Sequence, residues 1–154
     1  MKKQSQKIKK FRLFLLNQIS SLTTEQLNVI PRGFNNNIIW NLGHLVSSAQ
    51  IICYRRAGLP ISIDEKFLTP FLPNTKPGKF ISNEEIEILK ELLISTIDCL
   101  QSDYENKIFD NYTKSENIER YYGVELLTID DALDFLLYHE GFHSGRIIAL
   151  KQLV

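Results

Sequence analysis

Apolar residues recur at intervals of three and four along four separate stretches of this chain, and strand-like alternation is scarce. That period lines them along one face of a helix. The first stretch covers 5–22, with Ile8, Phe11, Leu15, Ile19 and Leu22 on a shared face. The second covers 36–57, with Ile39, Leu42, Val46, Ala49 and Cys53. The third covers 83–104, with Ile86, Leu89, Leu93, Ile97 and Leu100, and the fourth covers 129–150. Four helices of this length, each with one apolar stripe, must bury those stripes against one another. The expected fold is therefore all-α, a four-helix bundle.

Local signals set the boundaries. Ser82 and Glu85 form a capping-box pattern at the start of the third helix. Thr128 caps the fourth, with Asp131 near its positive N-terminal end. Asn35 to Asn37 offer cap side chains for the second helix, and Gly58 followed by Pro60 stops it. A short capped turn follows the first helix at Thr23 to Leu27, and Pro31-Arg32-Gly33 breaks the chain. The connection 59–81 holds Pro60, Pro70, Pro73 and Pro77, which argues against a helix there. A link of that length suggests a crossover between the ends of a bundle. Residues 105–127 are mixed, and Tyr121-Tyr122-Gly123-Val124 reads equally as a turn or a brief extended piece.

Length and charge narrow the function classes. The chain has 154 residues, which suits a single domain, 1–154. With 44% hydrophobic and 23% charged residues it can bury a core. Eighteen basic residues balance eighteen acidic ones, so the basic excess of a general nucleic-acid binder is missing. The basic start, Met1 to Lys10, followed by apolar residues to Leu16 loosely resembles a signal peptide. Arg12 interrupts that run and no small-residue cleavage site follows, so a solvated basic start to an amphipathic helix is the better reading. No apolar stretch approaches the ~18 residues of a membrane span. Two cysteines, Cys53 and Cys99, each in a predicted helix among apolar neighbours, are too few for a disulfide framework. The default location is the cytoplasm.

The chemistry is concentrated in three histidines, all that the chain contains. His139 and His143 lie four apart on the fourth helix, which puts two imidazoles on one face a turn apart. His44 lies near the middle of the second helix, on a stripe with Trp40, Ser47, Ser48 and Ile51. If those helices are neighbours, the three rings converge in the bundle core, where helix-borne metal sites are built. Three protein nitrogens leave a coordination position for water or substrate. Imidazole suits zinc, nickel, iron or copper, so the ligands do not choose the metal. The same spacing also fits two surface histidines and one satisfied core histidine.

The segment Pro31-Arg32-Gly33-Phe34-Asn35-Asn36-Asn37-Ile38-Ile39-Trp40-Asn41-Leu42-Gly43-His44-Leu45 resembles the second-helix signature of the DinB-like (DinB/YfiT) superfamily. Asp130-Asp131-Ala132-Leu133, and Tyr138-His139-Glu140-Gly141-Phe142-His143-Ser144-Gly145-Arg146-Ile147, resemble its fourth helix. The order and separation of these segments and the long second-to-third link match as well. The resemblance implies a four-helix bundle of up-down-down-up order, often a homodimer. It also implies that His44, His139 and His143 bind a divalent transition metal, zinc or nickel, with iron or manganese as alternatives. Similar proteins include bacillithiol and mycothiol S-transferases and a thiol-dependent maleylpyruvate isomerase, and many have no known activity. The implied function is a metal-dependent S-transferase joining a low-molecular-weight thiol to a small electrophile. A cation at the open position lowers the pKa of a bound thiol, and the thiolate is the nucleophile. The alternative is a non-catalytic dimeric bundle that binds a metal or ligand.

Other residues carry weaker signals. Trp40, one turn before His44, can shape a substrate pocket or simply fill core. Arg146, three residues after His143, can hold the carboxylate of an anionic thiol cofactor or make a surface ion pair. Asn41 and Gln50 read as exposed helix residues rather than ligand-binding ones. Glu140 points about 100° from His139 on an ideal helix, so it can support that ring only across a helix interface. Cys53 and Cys99 read as buried apolar cysteines rather than extra metal ligands. Tyr54-Arg55-Arg56 and Tyr121-Tyr122 can frame a pocket or a dimer face. No phosphate-loop pattern is present.

Overall fold

Reciprocal caps begin three of the helices. Thr23 with Gln26, Ser82 with Glu85, and Thr128 with Asp131 each exchange side-chain and backbone hydrogen bonds across the first turn. A computed structural model describes residues 2–154. The described residues are helical, with no strand: α1 Lys2–Ile19, α2 Thr24–Asn28, α3 Ile38–Ala49, α4 Glu65–Leu68, α5 Asn83–Glu105, α6 Glu116–Tyr122 and α7 Ile129–Lys151. None is long and apolar enough to cross a membrane.

The four long helices pack pairwise, α1 and α3 each against both α5 and α7. Side-chain bonds give the relative directions. Gln4 meets Asp134 and Arg12 meets Glu140, so α1 and α7 ascend together. Ser5 meets Gln101 and Lys9 meets Asp98, so α1 and α5 run oppositely. Asn41 meets His143 while the rings of His44 and His139 touch, so α3 and α7 run oppositely.

The interior holds two apolar clusters. One gathers Leu15, Ile19, Leu42, Val46, Leu89, Leu93 and Ile147. The other gathers Ile8, Ala49, Cys53, Ile97, Leu100, Leu133 and Leu136. Buried polar residues stand between them along the helices: Arg12 on α1, Thr96 on α5, and His139, Glu140 and His143 on α7. The candidate site residues thus occupy a polar layer at mid-height.

Several expectations are corrected. Phe11 is 45% exposed and Arg12 takes its place in the interior stripe of α1. The stripe Ile8, Arg12, Leu15, Ile19 keeps the helical period, and Arg12 fits it because every nitrogen of its head is hydrogen-bonded inside. Arg12 is therefore no part of a solvated basic face. Cys53 is buried but Cys99 is exposed. The connection 59–81 contains α4 and a 3₁₀ turn at Thr69–Phe71. Pro70 sits in the first positions of that turn, where its missing N–H costs nothing. Tyr121 and Tyr122 form the last turn of α6, closed by Gly123 at φ 67°.

The second predicted helix reaches residue 57, but not as one regular α-helix. α3 widens into a π-turn at Gln50–Tyr54, tightens to 3₁₀ at Arg55–Ala57, and ends at Gly58 with φ 70°. The crossover turn lies flat on α3 at Gly43, where a Cβ would overlap the Phe71 ring. Only glycine leaves room for that ring against the helix. That packing brings the Phe71 carbonyl over His44.

Candidate metal centre

His44 on α3 and His139 and His143 on α7 meet inside the polar layer, 6%, 7% and 6% exposed. One ring nitrogen of each lies within 4.8 Å of the others. Ring centroids are 5.1 Å apart for His44 and His139, 4.7 Å for His44 and His143, and 4.5 Å for His139 and His143. The antiparallel packing of α3 on α7 closes this group, since the i, i+4 pair alone supplies two rings on one face.

Hydrogen bonds fix which nitrogen two of the rings present. His44 Nδ1 lies 2.7 Å from the Phe71 carbonyl. A carbonyl can only accept, so Nδ1 carries the hydrogen and Nε2 keeps its lone pair. His143 Nδ1 lies 2.8 Å from Asn41 Oδ1. The Asn41 amide nitrogen donates to the Asn37 carbonyl at 2.7 Å and to Asn36 Oδ1 at 3.2 Å. That leaves its oxygen facing His143, which must donate from Nδ1. Both rings thus offer Nε2, oriented by a backbone or amide oxygen as metal-binding histidines are. Ser48 Oγ lies 3.3 Å from His44 Nε2. His139 Nδ1 is buried with no protein partner. A buried nitrogen left so costs on the order of 1–3 kcal/mol. The donor set, one ring nitrogen from each of three buried imidazoles, fits a divalent transition metal.

Burial also keeps the rings neutral, the form that binds metal. Desolvation lowers the pKa of His44, partly opposed by its bond to Phe71. Desolvation, then the charges of His143, His44 and Arg12, holds His139 well below the ordinary 6.5. Desolvation, then His44 and Arg146, brings His143 down to about 3. The unfolded chain takes up these protons near 6.5, and the folded chain only at lower pH. Below 6.5 the unfolded state therefore holds more protons, so stability present above that value is lost as pH falls toward the folded values. Glu140, raised above 4.5 by burial, acts in the opposite sense but is one group against three. The melting temperature of the metal-free protein is expected to fall from about pH 7 to about pH 5. A flat profile would contradict neutral buried rings.

The remaining candidates fall at different distances from this group. Trp40 is buried and stacks on His44 at 4.7 Å and 11°, with its indole N–H donated to Thr75. Arg146, half-buried, donates from Nε to Asn36 Oδ1 at 3.3 Å and lies over the Phe34 ring. It thereby joins a line of polar contacts running Arg146, Asn36, Asn41, His143. Asn41 and Gln50 are fully buried, which corrects their reading as exposed. Gln50 Oε1 accepts from the Ser62 backbone and hydroxyl and ties the crossover to the π-turn. Burial pushes the Cys53 thiol up to about 12, so it stays protonated and is no nucleophile at neutral pH.

Sequence reasoning missed Arg12, and it weighed Glu140 only as a support across a helix interface, without its partner. Arg12 and Glu140 are both fully buried and paired at 2.6 Å. The signal was present: Arg12 continues the period of Ile8, Leu15 and Ile19, and a charge on an apolar stripe demands a partner.

Comparison with curated proteins and with solved structures gives no match. The family model of the DinB superfamily matches residues 14–147, a span that includes all three histidines and both segments whose motifs resemble that group. The chain belongs to the DinB superfamily.

Proposed function

We propose that the chain is a metal-dependent thiol S-transferase, of the bacillithiol or mycothiol kind, acting on small electrophiles. His44, His139 and His143 would hold a divalent transition metal, zinc or nickel first, with iron or manganese as alternatives. The single observation that carries this reading is the buried three-histidine group, which no carboxylate or thiol joins among the described residues. A cation held by three nitrogens keeps a position for a ligand and lowers the pKa of a thiol placed there.

The chain's own residues supply the rest. Phe71 and Asn41 orient His44 and His143. Trp40 closes one flank of His44 with an apolar ring. Phe135 and Phe142 stand beside His139 and His143, with ring centroids at 6.2 Å and 5.1 Å. Arg146 offers a half-exposed cation close to the same turn for a carboxylate of the thiol. In the reaction, the thiol sulfur gives up its proton to solvent and forms a carbon–sulfur bond. The leaving group, such as halide, departs with the pair from the broken carbon bond.

The same reading takes 1–154 as one domain and the four long helices as an up-down-down-up bundle. The pairwise directions of α1, α3, α5 and α7 support that order. Partners are a small thiol and an electrophile. A second copy of the chain as partner rests on the family, and a cytoplasmic location on the cysteine usage, which calls for no oxidising compartment. Balanced charge argues against nucleic acid.

The test is thioether formation by untagged protein loaded with zinc or nickel, given a low-molecular-weight thiol and a monobromobimane or chlorinated aromatic acceptor. Product that requires both metal and thiol supports the reading. Bound metal with no thiol-dependent product for any pairing overturns turnover and favours a non-catalytic metal-binding bundle.

A further inference from the structure

Arg12 connects all four long helices through one side chain. From α1 its Nε and Nη2 donate to Glu140 Oε1 on α7 at 2.9 Å and 2.6 Å. Nη2 also donates to the Leu45 carbonyl on α3 at 2.9 Å. Nη1 donates to the Leu93 carbonyl at 2.8 Å and to Thr96 Oγ1 at 3.4 Å, both on α5. Two of these partners adjoin the histidine group in sequence: Leu45 follows His44, and Glu140 follows His139. Arg12 itself precedes residues 14–147, the span of the family match.

Stability alone is a poor reason for this arrangement. Moving two charges out of water is costly, and an apolar pair of similar volume is often as stable or more so. Here the second carboxylate oxygen, Glu140 Oε2, is buried with no protein partner, so the pair is not fully satisfied. What a planar guanidinium supplies that apolar residues cannot is direction. Its fork fixes several acceptors at set angles from one point. Helical turns are stiff, so fixing the Leu45 peptide and the Glu140 carboxylate to a common group fixes the separation of the turns that carry His44 and His139.

We propose that Arg12 and Glu140 are positioning residues for the three-histidine centre: α1 acts as a strut that sets the distance between the ligand-bearing turns of α3 and α7. The proposal rests on the metal-binding reading of His44, His139 and His143. Neither residue of the pair is a ligand in it.

The test compares wild type with the double variant Arg12→Met/Glu140→Met, which removes both charges together. Zn(II) affinity is measured by chelator competition, ligand geometry by visible absorption of the Co(II)-loaded protein, and folding by melting of the metal-free protein. The double variant is expected to melt cooperatively near wild type, yet to bind Zn(II) about 10-fold more weakly or worse, with altered Co(II) bands. A folded double variant with wild-type affinity and bands overturns the proposal. If the double variant does not melt cooperatively, Arg12→Lys takes its place. Lysine keeps the charge and stem but has no fork to span three helices, so the same loss of affinity is expected, and unchanged affinity overturns the proposal. Failure of wild type itself to bind Zn(II) or Co(II) removes the metal reading, and the proposal with it. A bound wild type with an unaffected variant removes the strut alone.

Discussion

His44→Ala is expected to lose stoichiometric metal and, with it, all thiol-dependent turnover. Of the three rings, His44 alone comes from α3, so its loss leaves the His139–His143 pair on one helix with nothing opposite. Outer partners of ligating histidines cost 10–100-fold in metal affinity when removed, and removal of a ligand should exceed that range. The fold should survive. The Phe71 carbonyl that accepts from His44 also accepts from Ser47 Oγ at 2.8 Å, so the crossover keeps an anchor on α3. Elemental analysis beside far-ultraviolet circular dichroism checks both halves. A helical variant that retains one ion per chain would count against the ligand set.

Arg12→Met alone should be the most destabilising single change outside the apolar clusters. It leaves the Glu140 carboxylate fully buried without its cation, and strips partners from the Leu45 and Leu93 carbonyls. Breaking a buried pair in this way costs about 3–5 kcal/mol. For a chain of this size that corresponds to roughly 6–20 °C in melting temperature. The double change with Glu140→Met should recover most of the loss, because no unpaired charge remains. A single variant within about 1 kcal/mol of wild type would mean that Glu140 does not need Arg12.

The helical architecture was legible because its causes are local. Periodic apolar residues, the Ser82 and Thr128 caps and the Gly58 stop act over a few positions, and all stand close to where they were expected. The histidine pair on α7 was legible for the same reason. The partners of these residues were not, because they come from far along the chain. Asn41 reads as an ordinary polar helix residue until α7 brings His143 against it, 102 positions later. Glu140 points away from His139 along its own helix and gains its role from Arg12, 128 positions earlier. From Ile8, Phe11 fits a three-residue step and Arg12 a four-residue one. Only tertiary contacts decide between neighbours on a stripe. The π-turn at Gln50–Tyr54 likewise leaves no sequence signature, since α, π and 3₁₀ turns draw on the same residue types.

The proposed chemistry depends on three imidazoles sharing one ion. The most direct measurement is titration of metal-free, untagged protein with Co(II), followed by elemental analysis after loading with Zn(II) or Ni(II). One ion per chain, with Co(II) absorption that disappears in His44→Ala, is the predicted result. Protein that retains no ion after loading, or a His44→Ala variant that binds as wild type does, would contradict it.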